Sequence, residues 1–310
     1  MNTPILPVDV LLAANLMPSV VATLEQSVRL LDGRDPTVRD RLISSHAGTI
    51  RAIATNAHDG ASRALIEALP NLEIIACFSA GVDYIDLVAA RERGIAVTST
   101  SDVLADDVAD VAIAKILLLL RRFAQADRFV RDGAWADETF PLGRSLKGKR
   151  LGIVGMGTIG GAIARRAAAM RMEISYTSRS PKPSVPYRFT PNLEALAGES
   201  DILVVSCPAT EETRHMVNAA VLKALGPDGW LINIARGSIV NEAALVAALQ
   251  AREIAGAGLD VFEDEPHPHS ALLEMDNVSL SPHMASGTHE TRTAMGWAMI
   301  DSLRTHFDTR

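Results

Sequence analysis

Short apolar runs alternate with helical spacing along most of the chain. Val8 to Leu12, Ala52 to Ala54 and Ile74 to Phe78 read as buried strands, and Ile95 to Thr98 as a fourth. Ser62 to Leu69 carries apolar residues at helical intervals and stops at Pro70. Ile85 to Arg93 is a second short helix, ended by Gly94. Strand and helix in alternation predict a parallel sheet covered by helices. A long helical pattern follows from about Asp106 to Arg131, apolar on most of its faces, which predicts burial on more than one side. Gly133 to Lys149 sets Trp135, Phe140 and Pro141 in polar surroundings and reads as an irregular arm.

A second alternation begins at Arg150. Strands are expected at 151–154, 173–176, 202–206, 230–234, 256–259 and 278–280, and helices at 159–170, 193–197, 219–224, 242–251 and 290–307. The pattern predicts an α/β chain of two doubly wound, parallel-sheet, Rossmann-like domains. Periodicity alone does not show whether the last helix crosses back; with that crossing, the expected boundaries are 1–102 plus 286–310 for a flavodoxin-like first domain and 103–285 for the second. An arm at about 106–149 belongs to the second, and an active-site cleft is expected between the two.

Composition narrows the function classes. A chain of 310 residues suits two domains, and 48% hydrophobic with 22% charged residues is an ordinary globular balance. The net charge of −7, with no local basic patch, argues against nucleic acid. Cys77 and Cys207 are the only cysteines, so no disulfide framework is expected and a cytoplasmic setting fits. The N-terminus lacks a basic start, and the greasiest run, Val111 to Leu120, is too short for a bilayer and is interrupted by Lys115. No membrane association is expected.

The strongest local signal is Gly155-Met156-Gly157-Thr158-Ile159-Gly160, between an apolar strand and an alanine-rich helix. Gly155 permits the tight turn, Gly157 lets the backbone approach a pyrophosphate, and Gly160 lets helix and strand pack closely. Free amides at the helix start then face the phosphates. A glycine-rich turn without a ligand is the alternative. The next strand ends in Thr177-Ser178-Arg179-Ser180, where an NAD site usually places a carboxylate. Hydroxyls of Ser178 and Ser180 with the Arg179 guanidinium suit a 2′-phosphate, so NADP(H) is expected to be preferred, with NAD(H) possible. Arg179 could instead stack on adenine or lie in solvent.

Three further strand ends carry charge: Arg236 in Ile234-Ala235-Arg236-Gly237, Glu265 in the acidic run after Leu259, and His283 in Ser281-Pro282-His283. Ligands of open α/β sheets bind beyond the carboxyl ends of strands, so the three could converge beside a nicotinamide. Reducing a ketone by hydride needs a proton donor, which histidine suits near neutral pH. Glu265 would orient the ring and favour its protonated form, and Arg236 would bind a substrate carboxylate and polarise the carbonyl. Equally, the histidine could be structural, Arg236 a helix cap and Glu265 part of a solvated acidic loop.

These residues lie in a longer likeness. The chain resembles the D-isomer-specific 2-hydroxyacid dehydrogenases through FSAGVDYID at 78–86, VGMGTIG at 154–160, LINIARGSIVNEAAL at 231–245 and AGAGLDVFEDEP to SPH at 255–283. Within the family it is similar to the glyoxylate/hydroxypyruvate and hydroxyphenylpyruvate reductases. DVLADDVADVAIAKILLLLRR, the TSRS strand end and SPHMASGTHETR support that narrower likeness. The resemblance implies a catalytic triad of Arg236, Glu265 and His283, with Ala80 and Gly81 offering amides to the substrate carboxylate. It implies cofactor contacts from Cys207, Pro208, Ile234, Ala235, Asp260, His283 and Ala285. The activity implied is NADPH-dependent reduction of small 2-oxo acids to D-2-hydroxy acids in a homodimer whose arm, through Trp135 and Phe140, touches the partner. A 2-ketogluconate reductase and a non-enzymatic dinucleotide sensor are the alternatives. No metal is expected, because His267 and His269 beside the acidic run lack any known ligand spacing. Asp102, Asp106, Asp107 and Asp110 read as acids complementing a helix dipole.

Overall fold

A computed structural model describes residues 6–308. They form two compact units: residues up to Leu104 together with those from Gly287 onward, and Ala105–Ser286.

The first unit is built on β1 (Leu6–Leu12), α1 (Pro18–Ser27), β2 (Val28–Asp32), α2 (Pro36–His46), β3 (Ile50–Thr55), α3 (Arg63–Glu67), β4 (Ile74–Cys77), α4 (Leu87–Glu92) and β5 (Ala96–Thr98). Its five strands are parallel, in the flavodoxin-like order β2-β1-β3-β4-β5. The inner strands β3 and β4 are the most apolar because helices cover both of their faces, and Ile53, Ile75 and Ile66 are sealed from solvent there.

Three elements, α1, β2 and α2, were not expected from the pattern. The edge strand β2 is only partly buried, and α2 buries no residue fully, so neither leaves a clean apolar stripe. Their local signals are punctuation: Asp35 caps α2 by accepting from Val38 N, and Pro36 opens its first turn.

The second unit continues through α5 (Ser101–Leu120), which starts within the first, and α6 (Phe123–Arg131). The single long helix expected here is broken. Arg122 takes a left-handed conformation (φ 56°), so α5 stops and α6 starts afresh. Nothing in a run of good helix formers announces such a break.

Then come β6 (Arg150–Val154), α7 (Thr158–Ala169), β7 (Glu173–Thr177), β8 (Arg188–Phe189), α8 (Leu193–Gly198), β9 (Ile202–Val205), α9 (Ala219–Leu225), β10 (Trp230–Asn233), α10 (Glu242–Gln250), β11 (Gly256–Leu259), α11 (Ser270–Leu273) and β12 (Val278–Leu280). The sheet is seven-stranded and parallel, ordered β12-β11-β10-β9-β6-β7-β8. The chain leaves β6 toward β7 on one side and returns to β9 on the other, so the strand order reverses at β6, where open α/β sheets bind ligands. The last helix, α12 (His289–Asp308), packs on α1 and β4 of the first unit. Gly296 allows that approach, since a Cβ there would lie 2.5 Å from Val20.

Candidate active site

Because every strand of the second sheet is parallel, all the carboxyl ends share one edge. Read across that edge, the sheet order places Ser178 and Arg179 after β7, the glycine loop after β6, Cys207 and Pro208 after β9, Ile234 to Arg236 after β10, Asp260 after β11 and His283 after β12. Residues spread over more than a hundred positions are thereby aligned in one row.

The glycine loop has the shape its sequence requires. Gly155 sits at φ 101°, and a Cβ on it would come within 2.7 Å of the Cys207 backbone. A Cβ on Gly160 would lie 2.0 Å from the Gly155 carbonyl, so only glycine allows α7 to approach β6 here. Gly157 differs: its absent Cβ would meet nothing within 4 Å, leaving a space before the α7 amides for an incoming group. Met156 turns its side chain into the core, while Thr158 is exposed at the head of α7 and Ile159 is half-buried. Ser206 braces the turn, donating its hydroxyl to the Gly155 carbonyl at 2.8 Å.

His283 and Glu265 meet. His283 Nδ1 lies 2.7 Å from Glu265 Oε2, and Phe262 N donates to the other carboxylate oxygen at 3.0 Å. Both side chains are largely covered without being sealed. His283 itself holds a left-handed backbone (φ 48°), fixed by its amide donating to the Asp260 carbonyl at 2.8 Å. Arg236 leaves β10 half-buried. Its turn is held by the buried Asn233, whose Oδ1 accepts from Ala235 N at 3.1 Å and whose Nδ2 donates to the Arg236 carbonyl at 2.9 Å. Ile234 and Ala235 are buried beside it.

The structure corrects several expectations. Asp260 is 0% exposed, so its carboxylate offers no surface to a ligand. Its oxygens accept from Ser281 Oγ at 2.5 Å, Met284 N at 3.1 Å and Ala285 N at 2.9 Å, binding the histidine turn from within. The amide of the buried Ala285 is committed to the same carboxylate. Asp106 and Asp110 do not serve the start of α5. They grip Arg166 of α7, at 2.9 and 2.6 Å, and so tie α5 to the helix behind the glycine loop. In the arm, Phe140 lies edge-on to Phe129 and under Arg122, contacts that do not bear on the expected partner contact, and Trp135 is exposed. Burial pushes the Cys207 thiol up to about 11, which fits a packing residue and not a nucleophile.

A profile described as "D-isomer specific 2-hydroxyacid dehydrogenase, NAD binding domain" matches residues 113–285. The chain is 49% identical over 284 residues to glyoxylate/hydroxypyruvate reductase A of Arabidopsis thaliana, covering 92% of this chain and 91% of that one. The chain belongs to the D-isomer-specific 2-hydroxyacid dehydrogenases. A 2-ketogluconate reductase of Gluconobacter oxydans is 42% identical over 299 residues, covering 96% and 95% of the two chains. Among solved structures, the NADPH-dependent glyoxylate/hydroxypyruvate reductase of Sinorhizobium meliloti, in complex with NADP and malonate, superposes with a TM-score of 0.88 at 42% identity, covering 97% and 94%.

As a member of this family the chain is an oxidoreductase, and its residues fit a dinucleotide. The open space at Gly157, facing the first amides of α7, would take the pyrophosphate. Exposed Arg179 and Ser180 lie on the neighbouring strand end, where a ribose would follow, and Ser178 donates to the Ser180 carbonyl at 2.6 Å. In the first unit the dehydrogenase carries Ala80 and Gly81 half-buried just beyond β4, with Cys77 Sγ donating to the Gly81 carbonyl at 3.6 Å. The sequence reading missed the supporting residues Asn233, Ser206 and Ser281. Their signal was present: a polar residue at or just past the end of an otherwise apolar strand must find a partner. Among the described residues no group of three or more His, Cys, Asp or Glu is placed to hold a metal, and no helix is long and apolar enough to cross a membrane.

Proposed function

We propose that this dehydrogenase reduces small 2-oxo acids, such as glyoxylate or hydroxypyruvate, to D-2-hydroxy acids with NADPH. The observation that carries the reading is the His283–Glu265 pair on the sheet edge that also bears the glycine loop and Arg236. Bound dinucleotide supplies the hydride for the keto carbon. Arg236 pairs with the substrate carboxylate and draws electron density from the carbonyl, with the amides of Ala80 and Gly81 as further carboxylate donors. Glu265 fixes the imidazole through Nδ1, so the proton for the new hydroxyl leaves from Nε2. Arg179 with Ser178 and Ser180 selects the 2′-phosphate. The remaining cofactor contacts proposed are Gly155 to Gly160, Cys207, Pro208 and the backbone of Ile234 and Ala235. A homodimer formed through the arm, with Trp135 and Phe140 meeting the partner, and a cytoplasmic location complete the proposal.

Likeness to the Gluconobacter protein favours 2-ketogluconate as a second substrate class for the same machinery. A panel of glyoxylate, hydroxypyruvate, hydroxyphenylpyruvate and 2-ketogluconate, assayed by NADPH and NADH consumption, separates these readings. Turnover of the short acids with NADPH is expected. If no 2-oxo acid is reduced with either cofactor, the enzymatic reading falls and dinucleotide sensing takes its place.

A further inference from the structure

The stretch after β7 carries Ser178, Arg179 and Ser180 and runs without regular structure as far as β8. Arg179 and Ser180 are exposed there. A long charged side chain on an irregular loop must be ordered before it can recognise a phosphate, and that ordering subtracts from affinity. The loop is not left loose, however. Tyr176, in β7, is 1% exposed, and its ring meets that of Phe189 in β8 with centroids 5.5 Å apart. A buried phenol hydroxyl needs a partner. This one accepts from the Lys182 amide at 2.6 Å.

The sequence singles out that donor. Pro181 and Pro183 have no amide hydrogen, so within Pro181-Lys182-Pro183 only Lys182 can donate from its backbone. The rings on either side also fix two φ angles and narrow the shapes the loop can take. Further bonds shape the same stretch. Ser178 Oγ donates to the Ser180 carbonyl at 2.6 Å, Val185 N to the Lys182 carbonyl at 3.1 Å and Thr190 N to the Tyr176 carbonyl at 2.8 Å. Residues 177–181 are thereby held at both ends, by β7 at one and by the Tyr176 hydroxyl at the other.

We propose that Tyr176 is a positioning residue for coenzyme selection: by holding the Lys182 amide, its hydroxyl pre-orders the loop that presents Arg179 to a 2′-phosphate. Sealed from solvent, Tyr176 offers a coenzyme no surface and acts only through the loop. The proposal rests on the reading of Ser178, Arg179 and Ser180 as the 2′-phosphate contacts. Phenylalanine in its place fills the same space and loses only the clasp. The ligand must then order the loop itself, and the loss falls on contacts that NAD, without a 2′-phosphate, does not make.

The test titrates the full-length protein with NADP and with NAD by calorimetry, as wild type, Y176F, R179A and Y176F/R179A. Y176F is expected to weaken NADP about 3–10-fold and NAD by less than about twofold. Beside R179A the same change is expected to weaken NADP by less than about twofold, because the guanidinium that the loop presents is gone. Hydrogen exchange without coenzyme is expected to be about 10-fold faster at the Lys182 amide of Y176F than in the wild type. A tyrosine that only filled the core would move both coenzymes alike. Equal losses therefore overturn the proposal, as do an unchanged Lys182 exchange rate and an NADP loss that persists in full beside R179A. Should Y176F fold poorly, K182P removes the same bond from the exposed donor side, with K182Q as the control for the lost charge. K182P is expected to bind NADP more weakly than K182Q, and equal affinities overturn the proposal. A wild type that binds NADP no better than NAD shows that the 2′-phosphate reading has failed, and the role of Tyr176 falls with it. A wild-type preference that Y176F keeps intact overturns the role of Tyr176 alone.

Discussion

His283 gathers its competence from neighbours: Glu265 sets the ring at 2.7 Å, and the Asp260 carbonyl fixes the backbone. Replacing His283 by Gln removes the proposed proton donor while keeping size and polarity, so kcat for 2-oxo acids is expected to fall by about 10²–10⁴-fold with NADPH affinity retained. A variant with near-normal turnover would end the assignment. Arg179→Ala removes one charged contact to a 2′-phosphate and is expected to lower the NADPH/NADH ratio of kcat/KM by about 10–100-fold. An unchanged ratio would place the selection elsewhere. Arg236, Glu265 and His283 stood out in the sequence as candidates because charge at the end of an apolar strand is costly without a task, and the structure brings the last two into contact. The supporting cast was not. Asp260 read as a ligand contact, yet it is an internal acceptor, because local sequence does not reveal which polar groups will find one another in space.

At the scale of elements, the strand–loop–helix of β6 and α7 is the part that sequence specifies most tightly. Gly155 and Gly160 are each crowded by backbone, at 2.7 and 2.0 Å from where a Cβ would stand. Gly160→Ala must therefore push α7 from β6, and a cost of about 3 kcal/mol with loss of NADPH binding is expected. Unfolding by urea, with NADPH fluorescence titration, measures both, and a variant that binds normally would show the spacing to be slack. Six of the seven strands of the second sheet were readable as short, largely apolar runs, and the two-residue edge strand β8 was not. The elements α1, β2 and α2 were not, since an edge strand and a helix with no fully buried residue carry little periodic signal. The break at Arg122 was invisible because a left-handed arginine looks like any other in a string.

Over the whole molecule, each of the two units carries a cluster of buried apolar residues of its own. NADPH at 100 times its Kd stabilises the unit that binds it by about 2.7 kcal/mol. Calorimetry is expected to show the ligand raising the transition of the second unit, and Gly157→Val, which fills the phosphate space, should abolish the rise. Acid reaches carboxylates in both units, with Asp32 and Glu73 in the first and Asp201 in the second lying below their ordinary range. The Arg51 guanidinium beside Glu73 holds its carboxyl below the usual carboxylate range, opposed by partial burial and aided by His306. A lowered folded value contributes stability above the unfolded carboxylate value of about 4.3 and loses it as pH falls through the folded one. Glu73→Gln should therefore flatten the acid side of the melting curve while leaving neutral-pH turnover intact. An acid limb as steep as that of the wild type would assign the sensitivity to other groups.

Arg179 follows β7 and His283 follows β12, five strand spacings apart along one sheet, or roughly 24 Å at about 4.8 Å per strand. On the proposed roles of these two residues, coenzyme choice and chemistry are separate inheritances of the same scaffold. A lineage could exchange one currency of reducing power for the other by rewriting a single hairpin-sized stretch, with no change to the groups that move the proton.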